Sequence, residues 1–282
     1  MREFQSQYRN KDKNIIIYHN KNEIPYICVP HLHSQYEIYY NISGAKGFML
    51  DGEFYRCGER DLIVIPRACA HKVLVRKNVE YERCIININD YIVEMIEILC
   101  ASKSALSWLK CDDGKSPEMV NLSEKQHKVF MKYIKRYNEH EQNNEELEAF
   151  SDFMVIMAFL KRCYENPRRA DYIDENELSE PDNVMRMIER NFKTISVAEI
   201  AERICINEDY ANRVFRKETG TTIQSYLTQR KIAEAKKYIF LGKSVKEACY
   251  LSGFRDYANF LRTFKKYEGY SPGELDELTS PL

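Results

Sequence analysis

Two histidines and a glutamate lie close together in the segment HLHSQYE, as His31, His33 and Glu37. Imidazole and carboxylate groups are ligands for iron, manganese, nickel or zinc. Residues two apart in a strand point to the same face, so His31 and His33 would lie on one side of a sheet. The same groups also form hydrogen-bonding walls in pockets for small molecules. The spacing therefore predicts either a metal site or a polar ligand pocket.

The N-terminal third of the chain predicts the β-structure that would position these groups. Short runs rich in β-branched and aromatic residues alternate with turn signals such as Ser43-Gly44 and Asp51-Gly52. Several short strands at this spacing are typical of an antiparallel sandwich or barrel. The predicted strands are Ile15–Tyr18, Tyr36–Ile42, Gly47–Leu50, Glu53–Cys57, Asp61–Ile65, His71–Val75 and Tyr81–Asn87.

From Tyr91 the apolar period becomes helical. One apolar stripe runs from Leu122 to Tyr137, behind a possible capping box formed by Ser123 and Gln126. A second, wider stripe runs from Leu147 to Leu160. Two such helices either cover the open side of a sheet or pair with a second subunit.

The charge of the chain is uneven. The net charge is −1, but residues 183–272 hold 17 Lys+Arg against 10 Asp+Glu, so this window carries +7 and the remainder −8. Residues 171–182 hold six acids and no base, which predicts an exposed linker that could dock on the basic region. A basic module next to an acidic one favours a polyanionic partner.

The basic region contains an internal repeat. SVAEIAERICINEDYANRVFRKETG (Ser196–Gly220) is similar to SVKEACYLSGFRDYANFLRTFKKYEG (Ser244–Gly269). Each copy opens with S-x-x-E, a capping box, and closes at a glycine suited to a helix C-terminus. Each copy therefore predicts a helix-turn-helix unit. The intervening residues 222–241 predict a helix of about 30 Å, close to one DNA turn of about 34 Å.

The second helix of such a unit lies in the major groove. Asn212 and Arg213 in the first copy have side chains suited to bidentate contact with adenine and guanine. Basic residues further along each helix are suited to phosphates. The predicted base contacts are Asn212, Arg213, Arg255, Tyr257, Asn259 and Arg262, and the predicted phosphate contacts are Arg216, Lys217, Lys265 and Lys266.

The closing run GFRDYANFLRTFKKYEGYSPGEL (Gly253–Leu275) resembles the signature of the AraC/XylS family of bacterial transcription regulators. The resemblance implies a seven-helix DNA-binding domain with two helix-turn-helix units. It also implies base-contacting roles for Asn212, Arg213, Tyr257 and Arg262, which fall where family members place such residues.

The N-terminal region is similar to the cupin-type effector domain of this family. His31, His33, Glu37 and Gly44 match the pattern HxHx3Ex6G, and His71 falls in a partly matched second motif. The resemblance implies an effector pocket that includes His31, His33, Glu37, Tyr39 and His71. The same four polar residues, His31, His33, Glu37 and His71, are the ligand set of the metal-site alternative. In the family, helices near residues 120–165 join subunits.

These observations predict an α+β multidomain fold with an antiparallel β cupin (jelly-roll) barrel, following helices and an all-α C-terminal domain. The predicted boundaries are 1–90 for the effector domain, 91–168 for the helical region, 169–182 for the acidic linker and 183–282 for the DNA-binding domain. We expect a transcription regulator without catalytic activity or cofactor. A metal-dependent cupin enzyme fused to a DNA-binding domain, and a regulator without an effector, remain alternatives.

Partners and location follow from the same reading. We expect double-stranded promoter DNA, a small polar effector such as a sugar, and a second copy of the chain, with RNA polymerase as a candidate further partner. Nine cysteines without a CxxC pair favour reduced thiols in the cytoplasm. No signal peptide and no apolar run of bilayer length is evident, so no membrane partner is expected.

Overall fold

The computed structural model describes residues 14–22, 35–67, 69–76, 79–110, 117–204 and 206–279. Nine strands are described: β1 (Ile15–Asn22), β2 (Tyr36–Ser43), β3 (Ala45–Leu50), β4 (Glu53–Arg56), β5 (Asp61–Ile65), β6 (His71–Val75), β7 (Tyr81–Ile88), β8 (Glu118–Asn121) and β9 (Arg168–Arg169). The described α-helices are α1 (Asp90–Leu99), α2 (Glu124–Asn143), α3 (Glu146–Cys163), α4 (Glu180–Asn191), α5 (Val197–Arg203), α6 (Glu208–Thr219), α7 (Ile223–Phe240), α8 (Val245–Leu251), α9 (Tyr257–Glu268) and α10 (Pro272–Thr279).

The first seven strands lie where the sequence predicts them, and they form two antiparallel sheets. One sheet has the order β1-β7-β2-β5-β8-β9 and the other has the order β4-β3-β6. The alternation of side chains along each strand builds two cores. In β2, Tyr39 belongs to the core between the sheets, whereas Ile38 and Tyr40 belong to the core on the outer face. The predicted antiparallel β-domain of cupin type is confirmed.

Helices α1, α2 and α3 cover the outer face of the six-stranded sheet through one continuous apolar core. The predicted capping box at the start of α2 is present: the Ser123 hydroxyl accepts from the Gln126 amide, and the Gln126 side chain accepts from the Ser123 amide. The region predicted as helical also contributes two strands, β8 and β9, to the edge of this sheet. Residues 91–168 therefore supply both the helices that cover this sheet and two of its edge strands.

The stretch predicted as an exposed acidic linker is packed against the effector domain. Its backbone follows β4, because the Arg56 amide donates to the Asp171 carbonyl and the Ile173 amide donates to the Phe54 carbonyl. Ile173 and Leu178 are buried. Its acids also pair within this domain, as Glu177 with Arg56 and Asp182 with Lys46. The expectation that the linker acids dock on the basic domain is wrong for these two acids.

The C-terminal helices form two helix-turn-helix units joined by α7, as predicted. Helix α7 has 18 residues, about 27 Å at 1.5 Å per residue. A core shared by α4, α5, α6 and the first half of α7 also contains Met49, Phe54 and Leu74, which lie on the outer face of the three-stranded sheet. The second half of α7 packs with α8, α9 and α10 in a separate core. No described helix has both the length and the hydropathy needed to cross a bilayer.

Candidate DNA-binding surface and ligand pocket

The first helix-turn-helix unit consists of α5 and α6. A complete capping box of Ser196 and Glu199 starts α5. The Asn207 side chain accepts from the Tyr210 amide at 2.7 Å and starts α6. Gly220, with φ 75°, ends α6 in the left-handed conformation that glycine adopts without strain.

The second unit, α8 and α9, repeats this construction. Ser244 and Glu247 form its capping box, Asp256 caps α9, and Gly269 ends it with φ 83°. The acidic Asp256, which the sequence places among the outward positions of this unit, accepts from the Asn259 amide at 2.6 Å. Asp256 therefore serves the helix start, where its charge also suits the helix dipole.

The second helices of the two units, α6 and α9, are termed the reading helices. Each buries an apolar face and leaves a basic face in solvent. The predicted contact residues that are exposed are Arg213, Arg216, Lys217, Arg255, Asn259, Arg262, Lys265 and Lys266. Around α6 they border an open concave surface, together with Asp209 and Thr222.

Two predicted base contacts, Asn212 and Tyr257, are partly buried. The Asn212 Nδ2 donates to the Glu208 carbonyl at 3.1 Å, and its Oδ1 accepts from the Ile223 amide at 3.1 Å. The Tyr257 ring lies 6.3 Å from the Phe260 ring, at the edge of the second core. Both side chains thus have local structural partners in addition to any role at DNA.

The predicted ligand pocket lies between the two sheets. Glu37 and Tyr39 face inward from β2, and His71 faces them from β6. His71 Nε2 is 3.6 Å from Glu37 Oε2, and His71 Nδ1 is 2.9 Å from the Cys69 carbonyl oxygen. The Tyr39 hydroxyl is 3.1 Å from the Tyr81 hydroxyl. His31 and His33 lie outside the described residues.

Burial and charge act in opposite directions on His71. Desolvation lowers the pKa of the imidazole, but Glu37 and the Cys69 carbonyl raise it, and the net pKa lies above its usual value. Burial, followed by the Glu37 charge, raises the pKa of the half-buried Tyr18 phenol. Tyr18 therefore lies near the same carboxylate and extends the polar wall onto β1.

Sequence reasoning missed part of this wall. Tyr81, Arg83 and Asn87 occupy alternate positions in β7, on the face that contributes to the inter-sheet core. The Arg83 guanidinium carbon lies 4.5 Å from the centre of the Tyr81 ring. The buried Oδ1 of Asn87 has no hydrogen-bond partner among the described residues. The two-residue alternation of β7 was the signal that could have identified them.

The described half of the predicted metal set does not form a metal site. Glu37 and His71 are two ligands, and no group of three His, Cys, Asp or Glu side chains converges among the described residues. His31 and His33, which would complete the set, are outside that range. The described geometry is that of a buried histidine–carboxylate pair.

Two protein families match the chain in tandem. Residues 16–109 match the AraC-like ligand binding domain, and residues 200–277 match a helix-turn-helix domain. These ranges coincide with the β-domain and with the two helix-turn-helix units described above.

Curated relatives match over about a third of the chain. The chain is 31% identical over 94 residues to YtdP of Bacillus subtilis, an uncharacterized HTH-type transcriptional regulator; the match covers 33% of this chain and 12% of YtdP. It is 27% identical over 88 residues to the melibiose operon regulatory protein of Escherichia coli K12, covering 31% of this chain and 29% of that protein. These matches span well under two thirds of either relative.

Solved structures are similar over nearly the whole chain or over about a third of it. The crystal structure of ToxT from Vibrio cholerae O395 has 13% identity and a TM-score of 0.36, and the alignment covers 95% of this chain and 99% of that one. The C-terminal domain of the response regulator yesN from Fusobacterium nucleatum has 24% identity and a TM-score of 0.32, covering 33% and 93%. With an AraC-like ligand-binding domain ahead of paired helix-turn-helix units, this chain is similar in both of its domains to AraC-type regulators.

Proposed function

We propose that this protein is a sequence-specific DNA-binding regulator of transcription whose β-domain binds a small polar molecule. The observation that carries the proposal is the pair of reading helices, which share matched caps and matched basic residues. Arg213 and Arg262 occupy the same position relative to their N-caps and are both exposed. Two helices that enter adjacent major grooves are expected to carry basic side chains at matching positions.

Within this proposal the exposed side chains divide by position. Arg213, Arg255, Asn259 and Arg262 lie at or near the N-terminal halves of the reading helices and would contact base edges. Arg216, Lys217, Lys265 and Lys266 lie in the last turns and would contact phosphates. Tyr257 is also proposed to contact bases, whereas the side-chain amide of Asn212, which was predicted to do so, is held by the two local hydrogen bonds described above.

The effector pocket would be the polar inter-sheet wall that contains Glu37, Tyr39 and His71. Buried hydrogen-bonding groups beside aromatic rings suit a small polar molecule such as a sugar. His31 and His33 are proposed as further members of the wall. The three-stranded sheet would transmit binding, since its inner face lines the pocket and its outer face packs on the DNA-binding domain.

We further propose a cytoplasmic homodimer that pairs through α2 and α3. These helices pack on one another, and Arg136 and His140 of α2 bind the buried Asp152 of α3. Those ion pairs fix the helix pair, while the exposed Leu147 leaves apolar surface for a second copy. Sedimentation of the full chain would test the dimer.

RNA polymerase remains a candidate partner for a regulator bound at a promoter.

Binding to DNA is tested by two substitutions on the second reading helix. Arg262→Ala should cost about 1–3 kcal/mol of binding free energy and relax the base preference at one position. Lys266→Ala should weaken binding to all sequences and reduce the salt slope by about one unit. Fluorescence anisotropy with the full chain, at several salt concentrations, measures both. Unchanged affinity and preference in Arg262→Ala would contradict the proposed groove contact.

The enzyme alternative has a direct test as well. The relatives are transcription regulators, and we propose no catalytic role for this chain. A metal-dependent cupin enzyme would hold a stoichiometric transition metal that is lost in His33→Ala. Metal analysis of purified protein should instead find no metal dependent on His33.

A further inference from the structure

The helix caps fix how the two reading helices correspond. Asn207 and Asp256 are the N-caps, and Gly220 and Gly269 are the C-terminal glycines, so both ends are 49 residues apart. The tetrapeptide DYAN occurs in both copies, but only 47 residues apart. The tetrapeptide therefore begins two residues after the N-cap in α6 but at the N-cap itself in α9.

The caps, rather than the shared tetrapeptide, define which residues of the two helices are equivalent. Tyr210 in α6 takes the position of Asn259 in α9, and Asn212 takes the position of Leu261. Tyr210 is 39% exposed at the N-terminal end of α6, the end that meets base edges in this motif. Asn212 is only partly exposed, like Leu261.

The side-chain amide of Asn212 accepts a hydrogen bond from the first turn of α7. The first amides of a helix have no partner within the helix, and Asn212 Oδ1 accepts from the Ile223 amide while Thr222 accepts from the Ser225 amide. The Asn212 Nδ2 is bonded to the Glu208 carbonyl. Bidentate contact with adenine uses the same amide nitrogen and oxygen, so these two local bonds fix the orientation of the amide and compete with that contact.

Tyr210 supports Arg213. The Arg213 guanidinium carbon lies 5.1 Å from the centre of the Tyr210 ring, within the range of a cation–π contact. Side chains three residues apart lie on one helix face, and the later one covers the preceding turn. The ring therefore directs the guanidinium toward the N-terminal end of α6. Among the described residues, Arg213 forms no ion pair that would draw it elsewhere.

We propose that Tyr210 determines the specificity of the first reading helix, by positioning Arg213 and by presenting its own ring to the bases, while Asn212 anchors α7. This inference rests on the proposed DNA-binding function. The Arg213 fork would bind guanine, and the Tyr210 ring would contact a neighbouring thymine methyl group. The first unit would then differ from the second, where Asn259 supplies an amide at the equivalent position.

The test is selection of binding sites by the full chain from a randomised pool of double-stranded DNA, followed by sequencing. In Tyr210→Ala, the guanine preference at the position lost in Arg213→Ala should fall roughly three- to tenfold, as expected for a lost cation–π contact. Tyr210→Phe retains the ring and should retain the guanine preference. Tyr210→Leu keeps apolar bulk without a π face and should behave as Tyr210→Ala.

Asn212→Ala and Tyr250→Ala are the controls. Asn212→Ala should lower the melting temperature while keeping the selected sequence, and Tyr250→Ala, at an exposed tyrosine on α8, should change neither. Selection by Tyr210→Ala and Tyr210→Leu equal to that of the unmodified protein would overturn the role of Tyr210. Loss of an adenine preference in Asn212→Ala, at an unchanged melting temperature, would overturn the role of Asn212. Absence of any selected sequence for the unmodified protein would instead reject the proposed function itself.

Discussion

The two helix-turn-helix units are similar in construction but differ in what they pack against. The core of the first unit includes Met49, Phe54 and Leu74 from the three-stranded sheet of the β-domain. The described core of the second unit consists of residues of α7 and of the helices and turns after it. A change in the effector domain would therefore reach the first reading helix through a shared core, and the second through α7 and through Lys193, whose backbone lies beside Gly253.

A hairpin of the β-domain packs closely against α4. The turn between β3 and β4 holds Gly52 at φ +93°, and a Cβ added there would lie 2.7 Å from the Cβ of Glu189 in α4. Glu189 is itself buried against Arg230 and Tyr226 of α7. Burial raises the pKa of Glu189, against the lowering effect of Arg230. The hairpin thus abuts a buried ion pair that links α4 to α7.

The largest effects are expected from substitutions that truncate one buried phenylalanine in each of the two cores, which test whether the cores are separate. Phe54 and Phe260 are both buried, and each change to Ala should reduce the free energy of unfolding by about 3–5 kcal/mol. Phe54→Ala should increase amide hydrogen exchange in β4, α4 and α6, and Phe260→Ala in α8–α10. Hydrogen-exchange mass spectrometry measures this distribution. Equal exchange throughout both units in either variant would contradict separate cores.

The hairpin contact predicts a somewhat smaller effect. Gly52→Ala should cost about 2–4 kcal/mol of stability, because a left-handed backbone and a close Cβ contact both oppose it. Gly242→Ala is the control, since Gly242 has φ +76° but no atom within 4 Å of an added Cβ. Urea unfolding should show the smaller loss, about 1–2 kcal/mol, for Gly242→Ala. Equal losses would mean that Gly52 and Glu189 are not in close contact.

The inner face of the β-domain predicts a pH dependence of the free energy of unfolding. The pKa of His71 is raised on folding, with Glu37, Asp51 and the Cys69 carbonyl favouring the proton. Its contribution to stability is therefore present below about pH 6.5 and is lost as pH rises through the folded pKa. His71→Gln should remove that slope, which one proton limits to about 1.4 kcal/mol per pH unit. Urea unfolding between pH 5 and 9 tests this, and an unchanged slope would contradict it.

The smallest effect is expected at the rim of the domain contact. Arg190 Nε and Glu53 Oε1 are 3.2 Å apart, and both side chains are partly exposed. Glu53→Gln should cost only about 0.2–1 kcal/mol, and less at high salt. A double-mutant cycle with Arg190→Gln isolates this pair. A coupling of several kcal/mol would show that charge, rather than the apolar core, holds the first unit to the β-domain.

Local periodicity predicted much of this fold. Two-residue alternation located the first seven strands, and S-x-x-E followed by a terminal glycine located both helix-turn-helix units. Strands β8 and β9 have four and two residues, and they exist because an edge of the sheet is available for pairing. The acids of residues 171–182 suggested a solvated linker, although Ile173 and Leu178 in the same stretch are buried.

The site was less predictable because register and side-chain partners depend on the folded chain. The 49-residue offset between Gly220 and Gly269 aligns Tyr210 with Asn259, and the observed caps agree with that alignment. The hydrogen bond from the Ile223 amide to Asn212 spans a turn between helices, so no pattern along one helix contains it. In the β-domain, His71 lies 3.6 Å from Glu37, and Arg83 faces the same inter-sheet core through strand pairing.

Hydroxyl-radical footprinting of the full chain on a selected DNA site tests the central claim most directly. Two reading helices in adjacent major grooves should protect two patches about one helical turn apart, on one face of the DNA. Arg213→Ala should weaken one patch and Arg262→Ala the other. A single protected patch, or loss of the same patch in both variants, would contradict the account.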